Sequence, residues 1–204
     1  MSDAGGFPLE PRGAPPFRTF AAVFPPERVQ DALAARCRSL EPHLPGLRWT
    51  RPEALHFTLR FFGDLGEDLI GEAARAISES GASVLPFDVT LTGLGVFGSW
   101  RHPRVLWVGT GRGGLRLEAL ARVLEERFAA RGLGRSDKPF RPHLTVGRWR
   151  DPRARAGRGA RAAGEEVGEI ESFTVDEMTL VQSVLGGGPA RYHRLLTVPF
   201  QKSR

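Results

Sequence analysis

One pattern occurs twice in this chain, in the segments LHFTLRFFG (residues 55–63) and FRPHLTVGRW (residues 140–149). Each is an apolar run that contains a histidine, a threonine two positions later, and an aliphatic residue after that. Residues i and i+2 of a β-strand face the same side. Each strand therefore presents an imidazole and a hydroxyl on one face. The opposite face of the first strand is expected to be buried and carries Leu55, Phe57, Leu59 and Phe61.

The rest of the chain alternates between strand-like and helix-like patterns. Alternating or apolar segments predict strands near residues 17–24, 87–96, 104–108, 173–182 and 194–200, with a short one beginning at Trp49. Helical periodicity is clearest in residues 25–40, 67–80 and 114–131. The strands lack the continuous apolar runs of a parallel sheet. We therefore expect an α+β protein with mixed or antiparallel sheet and helices packed outside it.

Composition separates the folded part of the chain from its flanks. Residues 1–16 are rich in Gly and Pro and predict a flexible N-terminal arm, and residues 201–204 form a short tail. Residues 17–200 are long enough for one domain with a substantial core. Within it, residues 150–164 (RDPRARAGRGARAAG) are basic and of low complexity, and are expected to form a solvated or disordered loop.

The net charge and the cysteine content indicate which binding partners and which cellular compartment suit this protein. The net charge of +6 and the pI near 10.8 favour binding to a polyanion such as nucleic acid. A genome of high GC content, which raises the arginine content of its proteins regardless of function, would give the same charge. The single Cys37 excludes an internal disulfide and fits a reducing cytoplasm. No apolar run is long enough to span a membrane, and no apolar signal core begins the chain. We expect a cytoplasmic monomer.

The paired motifs point to phosphoryl transfer. If the two strands face each other across a cleft, His56, Thr58, His143 and Thr145 surround one ligand. A neutral imidazole can take a proton from water while an imidazolium gives one to a leaving oxygen, and the threonine hydroxyls can bind phosphate oxygens. A zinc site would need a third protein ligand, which neither motif contains. No metal and no cofactor are expected.

Two arginines are candidates for neutralising the phosphate charge. Arg60 is four residues after His56, which places it on the cleft face under strict alternation. Arg148 is five residues after His143, so it reaches the same face only if Gly147 marks a bulge or a twist.

Other interpretations also have support. The segment GTGRGG at residues 109–114 matches the dinucleotide-binding fingerprint, but it lies in mid-chain and lacks the expected second strand, so a tight turn into a helix is favoured. A basic RNA-binding module without catalysis is the main alternative function. The remaining histidines lack a paired threonine and are interpreted as structural: His43, His102 and His193.

The two motifs and their flanks resemble the LigT-type branch of the 2H phosphoesterase superfamily, the RNA 2′,3′-cyclic phosphodiesterases also called 2′-5′ RNA ligases. The resemblance extends from about Phe17 to Phe200 and includes a C-terminal pattern through Ser183, Leu185 and Tyr192. It implies two pseudo-symmetric lobes of antiparallel sheet with outer helices around a central cleft.

The resemblance also implies a reaction and a set of roles. The enzyme would hydrolyse a 2′,3′-cyclic phosphate at an RNA end, or in a small cyclic nucleotide, to a 2′-phosphate, with possible reversal to join a 2′-5′ linkage. His56 would be the proton donor and His143 the proton acceptor. Thr58, Thr145, Arg148 and Arg60 would bind the phosphate. Because the motifs are nearly symmetric, the sequence leaves open which histidine is the acid.

Overall fold

The computed structural model describes residues 17–151, 153–157, 160–165, 167–186 and 190–202. The strands found in these residues are β1 (Phe17–Val23), β2 (Leu47–Trp49), β3 (Phe57–Leu65), β4 (Phe87–Ser99), β5 (His102–Thr110), β6 (Leu144–Trp149), β7 (Glu169–Val175), β8 (Glu177–Val184) and β9 (Arg191–Pro199). The α-helices are α1 (Glu27–Arg38), α2 (Glu67–Gly81), α3 (Gly114–Ala130) and α4 (Ala160–Glu165). Two short 3₁₀ turns, Glu41–His43 and Pro52–Ala54, precede β2 and β3.

The strands form one sheet in the order β7-β4-β5-β6-β3-β1-β8-β9, with β2 also paired to β6. Every pairing among the described strands is antiparallel. The sheet has two halves, β7-β4-β5-β6 and β3-β1-β8-β9, which meet where β3 pairs with β6 at Phe57 and Leu144. The expected α+β class with antiparallel sheet is confirmed, and the two motif-bearing strands are neighbours at its centre.

The larger of two hydrophobic clusters among the described residues lies between the sheet and the helices. α3 packs against β3 through the ring of Phe62, which contacts the fully buried Phe128 in an edge-to-face arrangement. α2 packs against α3, β8 and β9. Apolar residues at helical spacing direct one face of each helix to the sheet, as the periodicity predicted. The helices cover one face of the sheet, and the opposite face carries a smaller apolar cluster of Phe20, Ala22 and Val181 next to the polar residues of the motifs.

The structure differs from the sequence-based elements in two places. The segment 173–182, predicted as one strand, is divided at Asp176 into β7 and β8, which lie in opposite halves of the sheet. The basic segment 150–164 was predicted to be a solvated or disordered loop, but part of it packs against the rest of the protein. The Gly157 backbone N–H donates to the His43 carbonyl, and α4 begins at the buried Ala160. The predicted arm at residues 1–16 lies outside the described residues.

The segment GTGRGG is a turn, as favoured above. It connects the end of β5 to α3, and Gly113 has a φ of 83°. A Cβ at Gly113 would lie 2.1 Å from the Asp88 carbonyl oxygen, so this glycine allows the turn to pack against the β4 backbone. Because β5 and β6, the strands before and after α3, are antiparallel, no βαβ unit forms here. The dinucleotide-binding hypothesis therefore lacks its structural basis.

None of the helices in the described part of the chain is long and apolar enough to cross a membrane.

Candidate active site

The two histidines lie immediately before the central strands, on either side of one cross-strand pair. Phe57 of β3 faces Leu144 of β6. Continuing this antiparallel register by one residue in each direction places His56 opposite Thr145 and Thr58 opposite His143. The two motifs are therefore related by an approximate twofold axis. All four side chains line the same cavity, of about 460 Å³.

The two imidazoles make equivalent hydrogen bonds. Nδ1 of His56 lies 2.7 Å from the Ala54 carbonyl oxygen, and Nδ1 of His143 lies 2.7 Å from the Arg141 carbonyl oxygen. A carbonyl only accepts hydrogen bonds, so each Nδ1 carries the proton. In each neutral ring, Nε2 is then the basic nitrogen. Each imidazole can therefore accept or deliver a proton through Nε2 without losing the bond that orients it.

The cavity is positively charged. Arg18 and Arg148 line it, and no Asp or Glu occurs among the described residues that do so. Arg148 also forms no ion pair with a described carboxylate. A cavity with two guanidinium groups, two imidazoles and two hydroxyls suits an anion such as a phosphate.

A bulge directs Arg148 into the cavity. In the pairing of β5 with β6, Leu106 faces Gly147 and Trp107 faces Thr145, so Val146 is the extra residue. The extra residue shifts the alternation, and Arg148 joins the face of Thr145. The irregularity required for Arg148 is thus present, one residue before Gly147. Gly147 itself leaves room for Leu47, whose side chain would lie within 3 Å of a Cβ there.

Arg60 is not in the cavity, which corrects the prediction from strict alternation. β3 contains a bulge at Leu59, because Thr58 faces Ala22 while Arg60 faces Ala21. The bulge turns Arg60 toward α3, where it is buried and forms an ion pair with Glu125. Its Nη2 donates to the Leu133 carbonyl at 3.3 Å. We therefore no longer assign Arg60 to the phosphate.

The same bulge reverses the prediction for Phe61. This ring was expected in the core, but it is 46% exposed and lines the cavity. The Arg18 guanidinium lies over it, 4.7 Å from the ring centroid. The other three apolar residues of that predicted face are buried: Leu55, Phe57 and Leu59.

Aromatic rings enclose His56 more fully than His143. Phe20 stacks on the His56 ring with centroids 4.8 Å apart, and Phe24 and Tyr192 lie 5.4 and 5.3 Å away. Among the described rings, His143 contacts Phe97, edge to face at 4.9 Å. Sequence reasoning assigned no role to Phe20 or Phe24, because nothing in the local pattern indicates that β1 lies beside β3.

Burial lowers the pKa of both imidazoles. The pKa of His56 falls to about 4, chiefly because burial disfavours the charged ring. The hydrogen bond to Ala54 opposes this shift, and the charges of Arg148 and His143 add to it. The pKa of His143 is also lowered, by burial first and by Arg148, against the bond to Arg141. Both rings are therefore neutral at pH 7 when the site holds no anion.

The C-terminal strands complete the cavity wall. Ser183, Leu185 and Tyr192, which carried the C-terminal part of the family resemblance, all line the cavity. Burial raises the pKa of Tyr192, while Arg148 and Arg18 act in the opposite direction.

No group of three or more His, Cys, Asp or Glu residues suited to a metal ion occurs in the described parts of the chain. His43, His102 and His193 do not line this cavity.

Comparison with known proteins gives a consistent result. The sequence profile of the 2′-5′ RNA ligase superfamily matches residues 24–187. The chain is 34% identical to the RNA 2′,3′-cyclic phosphodiesterase of Methanothermobacter thermautotrophicus over 169 residues, covering 82% of this chain and 90% of the relative. It is 32% identical to the protein of the same name from Archaeoglobus fulgidus, covering 82% and 92%.

Solved structures show the same fold. A Thermus thermophilus protein of known structure superposes with a TM-score of 0.75 at 27% identity, covering 92% of this chain and all of the other. E. coli LigT in complex with 3′-AMP superposes with a TM-score of 0.72 at 25% identity, covering 92% and 99%.

Proposed function

The chain belongs to the 2′-5′ RNA ligase superfamily, and from this premise we propose that it hydrolyses 2′,3′-cyclic phosphates at RNA ends to 2′-phosphates, using His56 and His143 for proton transfer. It is an enzyme of the cyclic phosphodiesterase class, as its relatives are. The observation that carries the proposed mechanism is the pair of imidazoles, each oriented through Nδ1, in one cavity without a described carboxylate.

The phosphate binds between the two motifs in this proposal. Thr58 and Thr145 donate hydrogen bonds to its non-bridging oxygens, and the Arg148 guanidinium neutralises its charge. Arg148 lines the cavity without an ion-pair partner among the described residues, so binding the anion breaks no existing salt bridge. In this proposal one histidine lies on each side of the phosphorus, in keeping with the twofold arrangement of the motifs.

Hydrolysis then requires one proton to be removed and one to be delivered. His143 takes a proton from water as the water oxygen bonds to phosphorus. The bond from phosphorus to the 3′ oxygen breaks, and His56 gives its proton to that oxygen. His56 can be the donor only once the bound phosphate raises its pKa from about 4, because a nearby anion favours the imidazolium. Each proton transfer contributes about 10²–10⁴-fold to the rate.

The central experiment measures turnover of an oligonucleotide that ends in a 2′,3′-cyclic phosphate, in the presence of EDTA. We expect a 2′-phosphate product, full activity in the chelator, and losses of at least about 100-fold for His56→Ala and for His143→Ala. His43→Ala is the matched control, since His43 lies outside the cavity. Equal turnover by wild type and both motif variants would refute the mechanism.

A modified substrate assigns the two roles. When sulfur replaces the 3′ oxygen, the leaving thiolate needs no proton, so the variant that lacks the donor recovers activity while the variant that lacks the acceptor does not. We expect recovery for His56→Ala. Recovery for His143→Ala instead would exchange the two roles.

A non-catalytic RNA-binding module remains the contrasting function. It predicts RNA binding that both histidine variants retain, with no product formed. The relatives named as phosphodiesterases argue against it.

We further propose that the protein acts as a cytoplasmic monomer on RNA ends or small cyclic nucleotides. Cys37 is buried, and burial raises its pKa to about 12, so this thiol is unreactive toward intermolecular disulfide formation.

A further inference from the structure

An aromatic surface lies on the His143 side of the active site, outside the cavity described above. It consists of Phe97 on β4 and Trp107 on β5, whose ring centroids are 5.8 Å apart. Phe97 is 38% exposed, and its ring meets that of His143 edge to face. We call these two side chains the aromatic platform. Neither lines the cavity that holds the two motifs.

Two glycines make room for the Trp107 ring of the platform. Gly95 pairs with Trp107 across β4 and β5, and Trp107 pairs with Thr145 across β5 and β6. A Cβ at Gly95 would lie 2.1 Å from the Trp107 ring, so the indole occupies the space above that residue. Gly109, two residues from Trp107, would bring a Cβ to 3.3 Å of the same ring. The rings of Phe97 and Trp107 are tilted by 39° relative to each other, and Trp107 lies beside Thr145 of the second motif on the neighbouring strand.

Exposed arginines occur in the hairpin that carries the platform and next to His143. Arg101 and Arg104 are exposed at the β4–β5 hairpin, and Arg141 is exposed just before His143. None of the three forms an ion pair with a carboxylate in the described ranges. An exposed aromatic surface with unpaired arginines suits a nucleobase together with its neighbouring phosphates.

We propose that the aromatic platform is a second nucleoside subsite, which holds the nucleoside that contributes the 5′ oxygen of a 2′-5′ linkage. This inference rests on the proposed function, in which His56 gives its proton to the departing 3′ oxygen. In an in-line displacement, the attacking oxygen approaches opposite the leaving oxygen. If the 3′ oxygen leaves toward His56, the attacking group comes from the His143 side, where the platform lies.

The same site then serves a balanced transfer between cyclic and 2′-5′-linked RNA. In cleavage, the 3′-hydroxyl attacks phosphorus and its proton passes to neutral His56. The bond from phosphorus to the 5′ oxygen breaks, and the imidazolium of His143 gives its proton to that oxygen. The products are a 2′,3′-cyclic phosphate and a free 5′-hydroxyl. Joining is the reverse of these steps, and in hydrolysis water takes the place of the 5′-hydroxyl.

The test compares three substrates for wild type and Phe97→Ala. They are adenosine 2′,3′-cyclic phosphate, a 2′-5′-linked diadenosine monophosphate, and the same dinucleotide without the base on its 5′-linked residue. We expect Phe97→Ala to lower kcat/KM for the dinucleotide about tenfold more than for the cyclic mononucleotide. That extra loss should disappear with the abasic substrate, because no base is left to stack.

Two further variants make the result specific. Phe97→Tyr keeps an aromatic ring and should restore dinucleotide cleavage, while Leu115→Ala, on the exposed outer face of α3, should change none of the three rates. Equal losses of Phe97→Ala on all three substrates, with an active wild type, would overturn the subsite and leave the phosphodiesterase activity standing. A wild type inactive on both the cyclic mononucleotide and an oligonucleotide with a 2′,3′-cyclic phosphate end would instead overturn the proposed function, and this inference with it.

Discussion

At the scale of single residues, His56 and His143 each make the same kind of hydrogen bond, but the residues around them differ. Each donates from Nδ1 to the carbonyl two residues earlier. Three aromatic rings pack around His56, whereas Phe97 is the described ring against His143. Exclusion of water by these rings gives His56 its pKa of about 4. The two motifs are alike in sequence, and burial makes them unequal.

The pKa of His56 gives a prediction that NMR titration can check. In the free protein, the His56 ring should titrate near pH 4. Arg148→Ala should raise the pKa of His56, because a nearby positive charge disfavours the imidazolium. Saturating inorganic phosphate should raise it too, since an anion favours the charged ring. A pKa that neither Arg148→Ala nor phosphate changes would show that Arg148 and the anion site do not act on His56.

At the scale of secondary-structure elements, bulges determine which side chains enter the cavity. The extra residue at Leu59 of β3 moves Arg60 away from the cleft and Phe61 toward it. The extra residue at Val146 of β6 brings Arg148 to the cleft face. Each bulge follows its threonine, so the alternation after both motifs changes in the same way.

A buried ion pair connects the strand of the first motif to the helix behind it and to the segment before the second motif. Arg60 of β3 binds Glu125 of α3, and Glu125 also accepts the backbone N–H of Ser136 in the segment that leads to His143. Arg60 reaches the Leu133 carbonyl at the start of that segment. Arg60 therefore links β3, α3 and the approach to β6 within one network.

Loss of this network should cost stability. Arg60→Leu should lower the free energy of unfolding by about 3 kcal/mol, because it leaves the partly buried Glu125 carboxylate without its partner. Urea denaturation measures the loss, and Arg60→Leu combined with Glu125→Leu should recover part of it. The more exposed pair of Arg131 and Glu79 is the control, and Arg131→Leu should cost about 1 kcal/mol or less. Similar losses for the two single variants would contradict the buried network.

At the scale of the whole molecule, charge is unevenly distributed between two cavities. The cavity with the two motifs contains Arg18 and Arg148. A second cavity, of about 580 Å³, is lined by five carboxylates and one arginine: Glu27, Asp31, Glu53, Asp176, Glu177 and Arg194. It therefore repels a polyanion. With a net charge of +6, the molecule should attract RNA toward the motif cavity rather than toward its acidic neighbour.

The charge distribution predicts a dependence on salt. The kcat/KM for an oligonucleotide with a cyclic end should fall as salt rises, with a slope of log kcat/KM against log salt of about −0.7 for each phosphate contacted. Adenosine 2′,3′-cyclic phosphate has one phosphate and should show a shallower slope. Parallel slopes for the two substrates would mean that the arginines around the site contact no phosphate beyond the reacting one.

The local features of this protein could be predicted from its amino-acid sequence. Period-two and period-3.6 patterns are properties of short segments, so they predicted the two motif strands, three of the helices and the shared face of each histidine and threonine. The repeated motif also indicated the family, which the comparisons confirmed. Strand register and side-chain burial depend on contacts between distant segments, so they could not be predicted from local patterns and are known from the three-dimensional structure. It selected Arg148 over Arg60 through two bulges, enclosed His56 with rings from β1 and β9, and placed the Phe97 and Trp107 platform beside His143.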